Sequence, residues 1–267
     1  MNNLHRELAP ISDAAWAGIE DEARRTFKRN VAGRRVVDVV GPSGLTLAAV
    51  GTGHVRALDA PSKGVLLRRR EAQPVIELRA PFTVTRQAVD DVERGAQDSD
   101  WQPVKDAAKD IAIAEDRAIF AGSAATGIVG IEPFSSNTPL SLPTDIRQIP
   151  DTVAHAVSAL RLVGVDGPYR LLLSADLYTA VDETTDQGYP IRAHVARVLH
   201  EGEIIWAPAL DGGLVITTRG GDYALHIGQE LSIGYLAHDA EHIELYLEES
   251  LTFLPFTAEA SVALRTG

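Results

Sequence analysis

Apolar residues recur at Trp16, Ile19, Ala23, Phe27 and Val31, the three-and-four spacing of a helix with one buried face. Glu20, Arg24, Arg25 and Lys28 fall on the opposite side. Pro10 precedes the run, Ser12 or Asp13 is placed to cap it, and Gly33 follows it, so the spacing predicts a helix over 12–31. A second stripe, Val104, Ala107, Ala108, Ile111, Ala114 and Ala118, predicts the longest helix, 100–121. Asp100 is its expected cap, Pro103 lies in its first turn, and Gly122 closes it. Its small residues let another backbone approach closely.

Shorter patterns fill the rest. Strands are expected at 35–40 and 75–80, and an acidic helix at 88–93. Residues 122–150 are rich in Gly, Ser, Thr, Asn and Pro and read as irregular loop. A second unit begins near Asp151, with a helix marked by Val153, Val157 and Leu160. Tyr169 to Leu173 reads as a buried strand, and 175–183 and 191–199 as helices flanking a polar loop. Strands at 203–206 and 214–218 are expected to join through an Asp211-Gly212-Gly213 turn. The last third is β-rich, at 223–227, 231–236 and 242–253, and His242 to Glu248 alternates with strand period. The pattern gives an α+β fold.

One stretch fits no core. From 51 to 74, Gly51, Gly53, Pro61 and Gly64 interrupt short β-like runs without a buried face, which predicts a long two-stranded arm. An isolated hairpin is marginal in water. The arm therefore implies a neighbouring subunit.

Composition narrows the class. The 267 residues are 45% apolar, enough for one large domain or two small ones, and no apolar run approaches a membrane span. No signal-peptide pattern opens the chain. Cysteine is absent, which excludes disulfides and thiolate metal sites and fits a cytosolic protein. The formal charge is −12, which argues against nucleic acid as the main partner. The basic clusters Arg68-Arg69-Arg70 and Arg34-Arg35 are expected to pair with carboxylates on neighbouring segments or subunits.

Catalytic patterns are missing. The chain has no GxGxxG, P-loop or HExxH, and Gly41-Pro42-Ser43-Gly44 is not a nucleophile elbow. His238-Asp239-Ala240-Glu241-His242 is the best local metal candidate, but lying between two strands it reads as a surface turn. The remaining histidines are dispersed. Glu93, Glu115 and Asp116 lie on helical segments beside Arg94 and Arg117 and read as ion pairs on a solvated or inter-subunit face. The expectation is a protein that is not an enzyme and holds no cofactor or metal.

Leu4-His5-Arg6-Glu7-Leu8-Ala9-Pro10, Gly33-Arg34-Arg35-Val36-Val37-Asp38, Val75-Ile76-Glu77-Leu78-Arg79 and Asp91-Val92-Glu93-Arg94-Gly95 together resemble the encapsulin family. Gly167-Pro168-Tyr169, Gly188-Tyr189-Pro190, Thr217-Thr218-Arg219-Gly220-Gly221-Asp222 and Leu231-Ser232-Ile233-Gly234-Tyr235 strengthen the likeness. Their order and spacing along the chain carry it, and it is greatest to the actinobacterial, linocin-like members.

The resemblance implies the major capsid fold of tailed phages. It would divide the chain into a peripheral domain (1–50, 75–125 and 222–267), an extended loop (51–74) and an axial domain (126–221). It implies an icosahedral nanocompartment, built from multiples of about 60 chains, that encloses enzymes bearing a C-terminal targeting peptide. Dye-decolourising peroxidases and ferritin-like iron-handling proteins are the expected cargo. The peptide groove would comprise Ile19, Ala23, Phe27, Val31, Arg34, Asp38, Leu231, Ile233 and Tyr235. A five-fold pore would be lined by Asp182, Glu183, Thr184, Thr185, Asp186, Gln187, Gly188 and Tyr189. Linocin-like members have also been described as bacteriocins or peptidases, the alternative function, and a prophage capsid protein would share the fold.

Overall fold

The computed structural model describes residues 3–265. Met1, Asn2, Thr266 and Gly267, which the expected segments 1–50 and 222–267 include, lie outside the described residues. Helix α1 (Asp13–Asn30) leads to β1 (Asp38–Val40). Strands β2 (Ala49–Leu58) and β3 (Leu67–Pro74) form the arm, and β4 (Ile76–Thr85) runs into α2 (Arg86–Glu93). Helix α3 (Gln102–Phe120) is followed by β5 (Gly122–Ser123), β6 (Ile128–Val129), the single turn α4 (Ile131–Phe134) and β7 (Leu140–Ser141). Then come α5 (Ile149–Leu162), β8 (Tyr169–Leu173), α6 (Ala175–Glu183), β9 (Thr185–Asp186), β10 (Tyr189–Pro190) and α7 (Ile191–Val198). Six strands follow: β11 (Ile204–Trp206), β12 (Gly213–Thr217), β13 (Tyr223–Ile227), β14 (Ser232–His238), β15 (His242–Pro255) and β16 (Ser261–Arg265).

Two five-stranded sheets organise these elements. In the first, the 14-residue β15 is the spine. It pairs antiparallel with β4 from His242 to Leu251. Along its other edge run β14 and then β13, two halves of one interrupted strand, and β1 adds in parallel to β13. The second sheet has the order β11-β8-β12-β16-β7.

Local chemistry explains the helices. Ser12 caps α1, its hydroxyl accepting the Ala15 N–H at 3.2 Å, and Thr85 caps α2 in the same way at 3.1 Å. On α3 the cap position falls one residue later than expected, at Trp101. Asp100 instead accepts the Gln102 N–H at 3.0 Å.

Three apolar clusters hold the layers. One joins the two sheets through Ile119, Phe120, Ile216, Leu225 and Phe253. A second lies between α1, α3 and the first sheet, with Trp16, Ile19, Phe27, Ile111 and Leu245. The third packs α5 and α7 on the second sheet through Leu160, Leu171, Val195 and Val262. Each fully buried Ile or Leu contributes about 1.5–3 kcal/mol.

Several expectations need correction. The 203–206 and 214–218 strands do not form a hairpin. β11 pairs parallel to β8 while β12 pairs antiparallel to β8 on its other edge, so β8 separates them. Gly212 takes a positive φ of 113° and its carbonyl accepts the Ser174 N–H, tying that turn to the end of β8 instead. The strand at 75–80 extends to Thr85, because β15 supplies partners along all ten residues. Segment 122–150 is less irregular than its composition suggests: β5 pairs with β6, and β7 with β16. Finally, Ser261–Arg265 leaves the first sheet and joins β12 and β7 in the second.

Candidate functional site

Helix α1 presents Ala23, Phe27 and Val31 to a cleft of about 900 Å³. Leu231, Ile233 and Leu247 form the facing wall, and Leu4 of the N-terminal segment lines it as well. The apolar floor follows from register. Ala23, Phe27 and Val31 lie four apart, one turn above another, on the helix. Leu231 and Ile233 alternate onto one face at the start of β14.

The rim is charged. Arg6 lies over the Trp16 ring at 4.2 Å and pairs with Glu20 at 2.5 Å. Arg24 pairs with Asp21 at 2.9 Å. Arg35 pairs with Glu203. Arg34 closes one end, its guanidinium 4.9 Å from the Phe27 ring. Its Nε and Nη2 donate to Glu115 at 2.8 and 2.6 Å, Nη2 also to Glu249 at 2.9 Å, and Nη1 to Glu230 at 2.9 Å.

Beneath Arg34 lie two fully buried carboxylates, Glu115 and Glu249. Burial opposes the Arg34 charge, but the Glu115, Glu230 and Glu249 contacts outweigh it and hold its pKa above the ordinary value. Burial, and then the nearby Glu115 charge, push the Glu249 carboxyl well above the usual carboxylate range. Asp116, next on α3, accepts the Ala32 and Gly33 N–H groups at 2.8 and 2.7 Å, which fixes the turn presenting Arg34. Burial raises the Asp116 pKa to about 7 against these two bonds. The expectation that Glu115 and Asp116 pair on an exposed face is thus overturned. Both are fully buried, and Glu115 reaches an arginine 81 residues away.

Of the nine expected groove residues, Ala23, Phe27, Val31, Arg34, Leu231 and Ile233 line the cleft. Ile19 lies in the core below it, fully buried. Tyr235 packs against the same core, and its hydroxyl lies 2.6 Å from His238 Nδ1. Asp38 belongs to a separate small cavity with Thr217, Thr218 and Asp222, and accepts the Gly221 N–H at 2.6 Å. Sequence reasoning missed Leu4, Arg6, Lys28 and Glu230 as cleft residues. The signal for the first two was present in the opening Leu4-His5-Arg6 run.

The expected pore residues gather at one tip of the second unit. Residues Asp182 and Glu183 end α6, and β9 and β10 form a tight hairpin through Gln187 and Gly188, both with positive φ. Asp182 is paired with Arg192 at 2.7 Å. Tyr189 meets His194 edge-on at 4.7 Å, with Arg197 over its ring at 5.3 Å. The His238–His242 turn is held by Asp239, which accepts the Glu241 and His242 N–H groups at 2.7 Å. Among the described residues no three His, Asp or Glu side chains are grouped to hold a metal, and no helix is long and apolar enough to cross a membrane.

Comparison with known proteins accounts for this architecture. A family model described as "Encapsulating protein for peroxidase" matches residues 1–252. The type 1 encapsulin shell protein of Rhodococcus erythropolis is 63% identical over 264 residues, covering 99% of this chain and 100% of the relative. That of Brevibacterium linens is 62% identical with 99% of each chain covered, and that of Mycobacterium tuberculosis 58% identical with the same coverage. Among solved structures, a virus-like particle from Pyrococcus furiosus aligns with a TM-score of 0.63 at 13% identity, over 94% of this chain and 99% of the other. The Mycobacterium phage Bobi structure aligns with a TM-score of 0.58 at 14% identity, over 89% of this chain and 91% of the other. These two likenesses establish the fold, that of phage capsid proteins. The full-length identities establish the family: the chain is a member of the type 1 encapsulin shell proteins.

Proposed function

We propose that this shell subunit recruits an enzyme through a short C-terminal targeting peptide that lies in the cleft between α1 and β14. The cleft itself carries the reading: Ala23, Phe27, Val31, Leu231 and Ile233 line an apolar trough. A peptide with two or three aliphatic side chains at alternating positions matches that trough. The cargo is a dye-decolourising peroxidase, in keeping with the family description, or a ferritin-like protein.

In this reading the shell is icosahedral with about 60 copies and sits in the cytoplasm. The first sheet with α1 and α3 forms the peripheral domain, β2 and β3 the extended loop, and the second sheet with its helices the axial domain. The hairpin Asp182 to Tyr189 surrounds the five-fold opening. The chain supplies wall, groove and pore, and the chemistry belongs to the cargo.

Fluorescence anisotropy with labelled C-terminal peptides of candidate cargo tests the groove. Phe27→Ala and Ile233→Glu should weaken binding about tenfold or more, since each removes or charges buried contact area. Undiminished binding to both variants would refute the cleft as the cargo site.

A further inference from the structure

The N-terminal segment is a part of the cleft wall that the core does not hold. Leu4 and Arg6 line the cleft together with Phe27, Leu231 and Ile233. Strand β14 ends its sheet, so the backbone groups along its outer edge have no strand partner. The Tyr235 N–H points off that edge and donates to the Leu4 carbonyl at 2.8 Å, the kind of bond an added strand would make. The Tyr246 hydroxyl donates to the Asn3 carbonyl at 3.3 Å. Leu4 thus brings an aliphatic side chain to the trough and a carbonyl to the sheet edge. A short aliphatic peptide would bring the same two things.

Little fastens this segment. The single 3-10 turn Arg6–Leu8 buries no residue, and Leu8 is 59% exposed. Arg6 stacks on Trp16 and pairs with Glu20, but the two side chains of that pair are 32% and 35% exposed, where an ion pair contributes little. His5 takes a positive φ of 50°, which costs free energy in a residue with a Cβ and is relieved when the segment lifts off. Ala23, Phe27, Val31 and Ile233 belong to a core cluster, whereas none of residues 3–8 does. The cleft therefore has two fixed walls and one loosely held one.

We propose that residues 3–8 are a strap that fills part of the cleft in the cargo-free subunit, with Leu4 holding the place of one aliphatic side chain of the peptide, and that the peptide lifts the strap to bind. This rests on the reading of the cleft as the peptide site. The apparent Kd is then raised by the inverse of the fraction of subunits whose strap is open. Between binding events the strap shields apolar surface from water.

Thiol labelling tests the direction of movement. The chain has no cysteine, so Leu4→Cys places a single thiol on the strap. Its labelling by a maleimide is timed on the full chain, with and without a saturating C-terminal peptide of candidate cargo. Peptide should speed labelling several-fold, because lifting the strap exposes position 4. Arg6→Ala removes both contacts of the guanidinium and should loosen the strap. It should speed labelling of Leu4→Cys without peptide, and alone it should tighten peptide binding roughly threefold to tenfold. Residues 3–8 lie outside the core clusters, so circular dichroism of both variants should match the wild type. A fixed wall gives the opposite signs: peptide shields position 4 and slows labelling, and Arg6→Ala weakens binding. Either result would overturn the strap, and the cleft reading would stand so long as Phe27→Ala still weakens binding. Peptide binding indifferent to both Phe27→Ala and Ile233→Glu would remove the cleft reading and the strap with it.

Discussion

Arg34 and Glu115 are joined by three hydrogen bonds of 2.6, 2.8 and 3.0 Å, although 81 residues separate them in the chain. The Glu115 carboxylate is fully buried, and Glu249, also fully buried, shares the same guanidinium. One cation thus serves two carboxylates that water cannot reach. Removing it strands both. Arg34→Ala should destabilise the dissociated subunit by roughly 3–5 kcal/mol, read as a shift of the urea midpoint at constant slope. Combining Arg34→Met with Glu115→Gln and Glu249→Gln should recover much of that loss. If the single variant unfolds like the wild type, the network is not what holds α3 to β15.

Asp116 sets a pH dependence whose sign follows from burial. Its pKa stands at about 7 in the fold, against the ordinary carboxylate value of the unfolded chain. Between about pH 4 and pH 7 the unfolded state has released this proton while the folded state retains it. Its contribution is therefore fully present below about pH 4 and is lost as pH rises through 7. Glu249, also raised, acts in the same direction. Urea midpoints measured across this window should fall with rising pH, and Asp116→Asn should flatten the slope. An unchanged slope in Asp116→Asn would assign the effect to other groups.

The elements were far more legible in the sequence than their pairing. The stripe from Trp16 to Val31, with Ser12 before it, specifies α1 almost to the residue, because helix geometry is local. The arm was legible for the opposite reason: 51–74 lacks any buried period. Pairing is non-local. Nothing near Asp211-Gly212-Gly213 signals that β8 will insert between the flanking strands. The burial of Glu115 and Asp116 was hidden likewise, since Arg117 on the same helix is the obvious partner, whereas the actual partners come from the turn at 32–34. Six of the nine expected groove residues line the cleft, because one helical stripe serves both core and cleft. Asp38 does not, because it lies beyond Arg35 in a different cavity.

Gly33 is where the backbone meets α3. A Cβ there would sit 2.5 Å from Ile119 Cδ1 and 2.9 Å from Asp116 Oδ1. Gly33→Ala should cost about 1–3 kcal/mol through overpacking. The turn carrying Arg34 must move as well, so peptide affinity in the cleft should fall together with the melting temperature. Retained affinity with lowered stability would separate the turn from the cleft.

The hairpin beyond α6 gives the most direct test of a pore. Asp182 is neutralised by Arg192 at 2.7 Å, so the pair adds little net charge. Glu183 is exposed and has no ion-pair partner among the described residues. Asp186 sits near Arg147, which is itself held by Asp145. If this tip rings an opening, Glu183 dominates its field, and symmetry repeats that charge around the ring. Glu183→Lys with Asp186→Lys should slow entry of small cations into assembled shells several-fold and speed entry of anions. Asp182→Asn with Arg192→Gln, which preserves net charge, should leave both rates unchanged. Stopped-flow entry of a cationic and an anionic quencher into shells loaded with a fluorophore reads the two signs separately. Equal rates for wild type and the lysine variant with both quenchers would place the route into the shell elsewhere than at this hairpin.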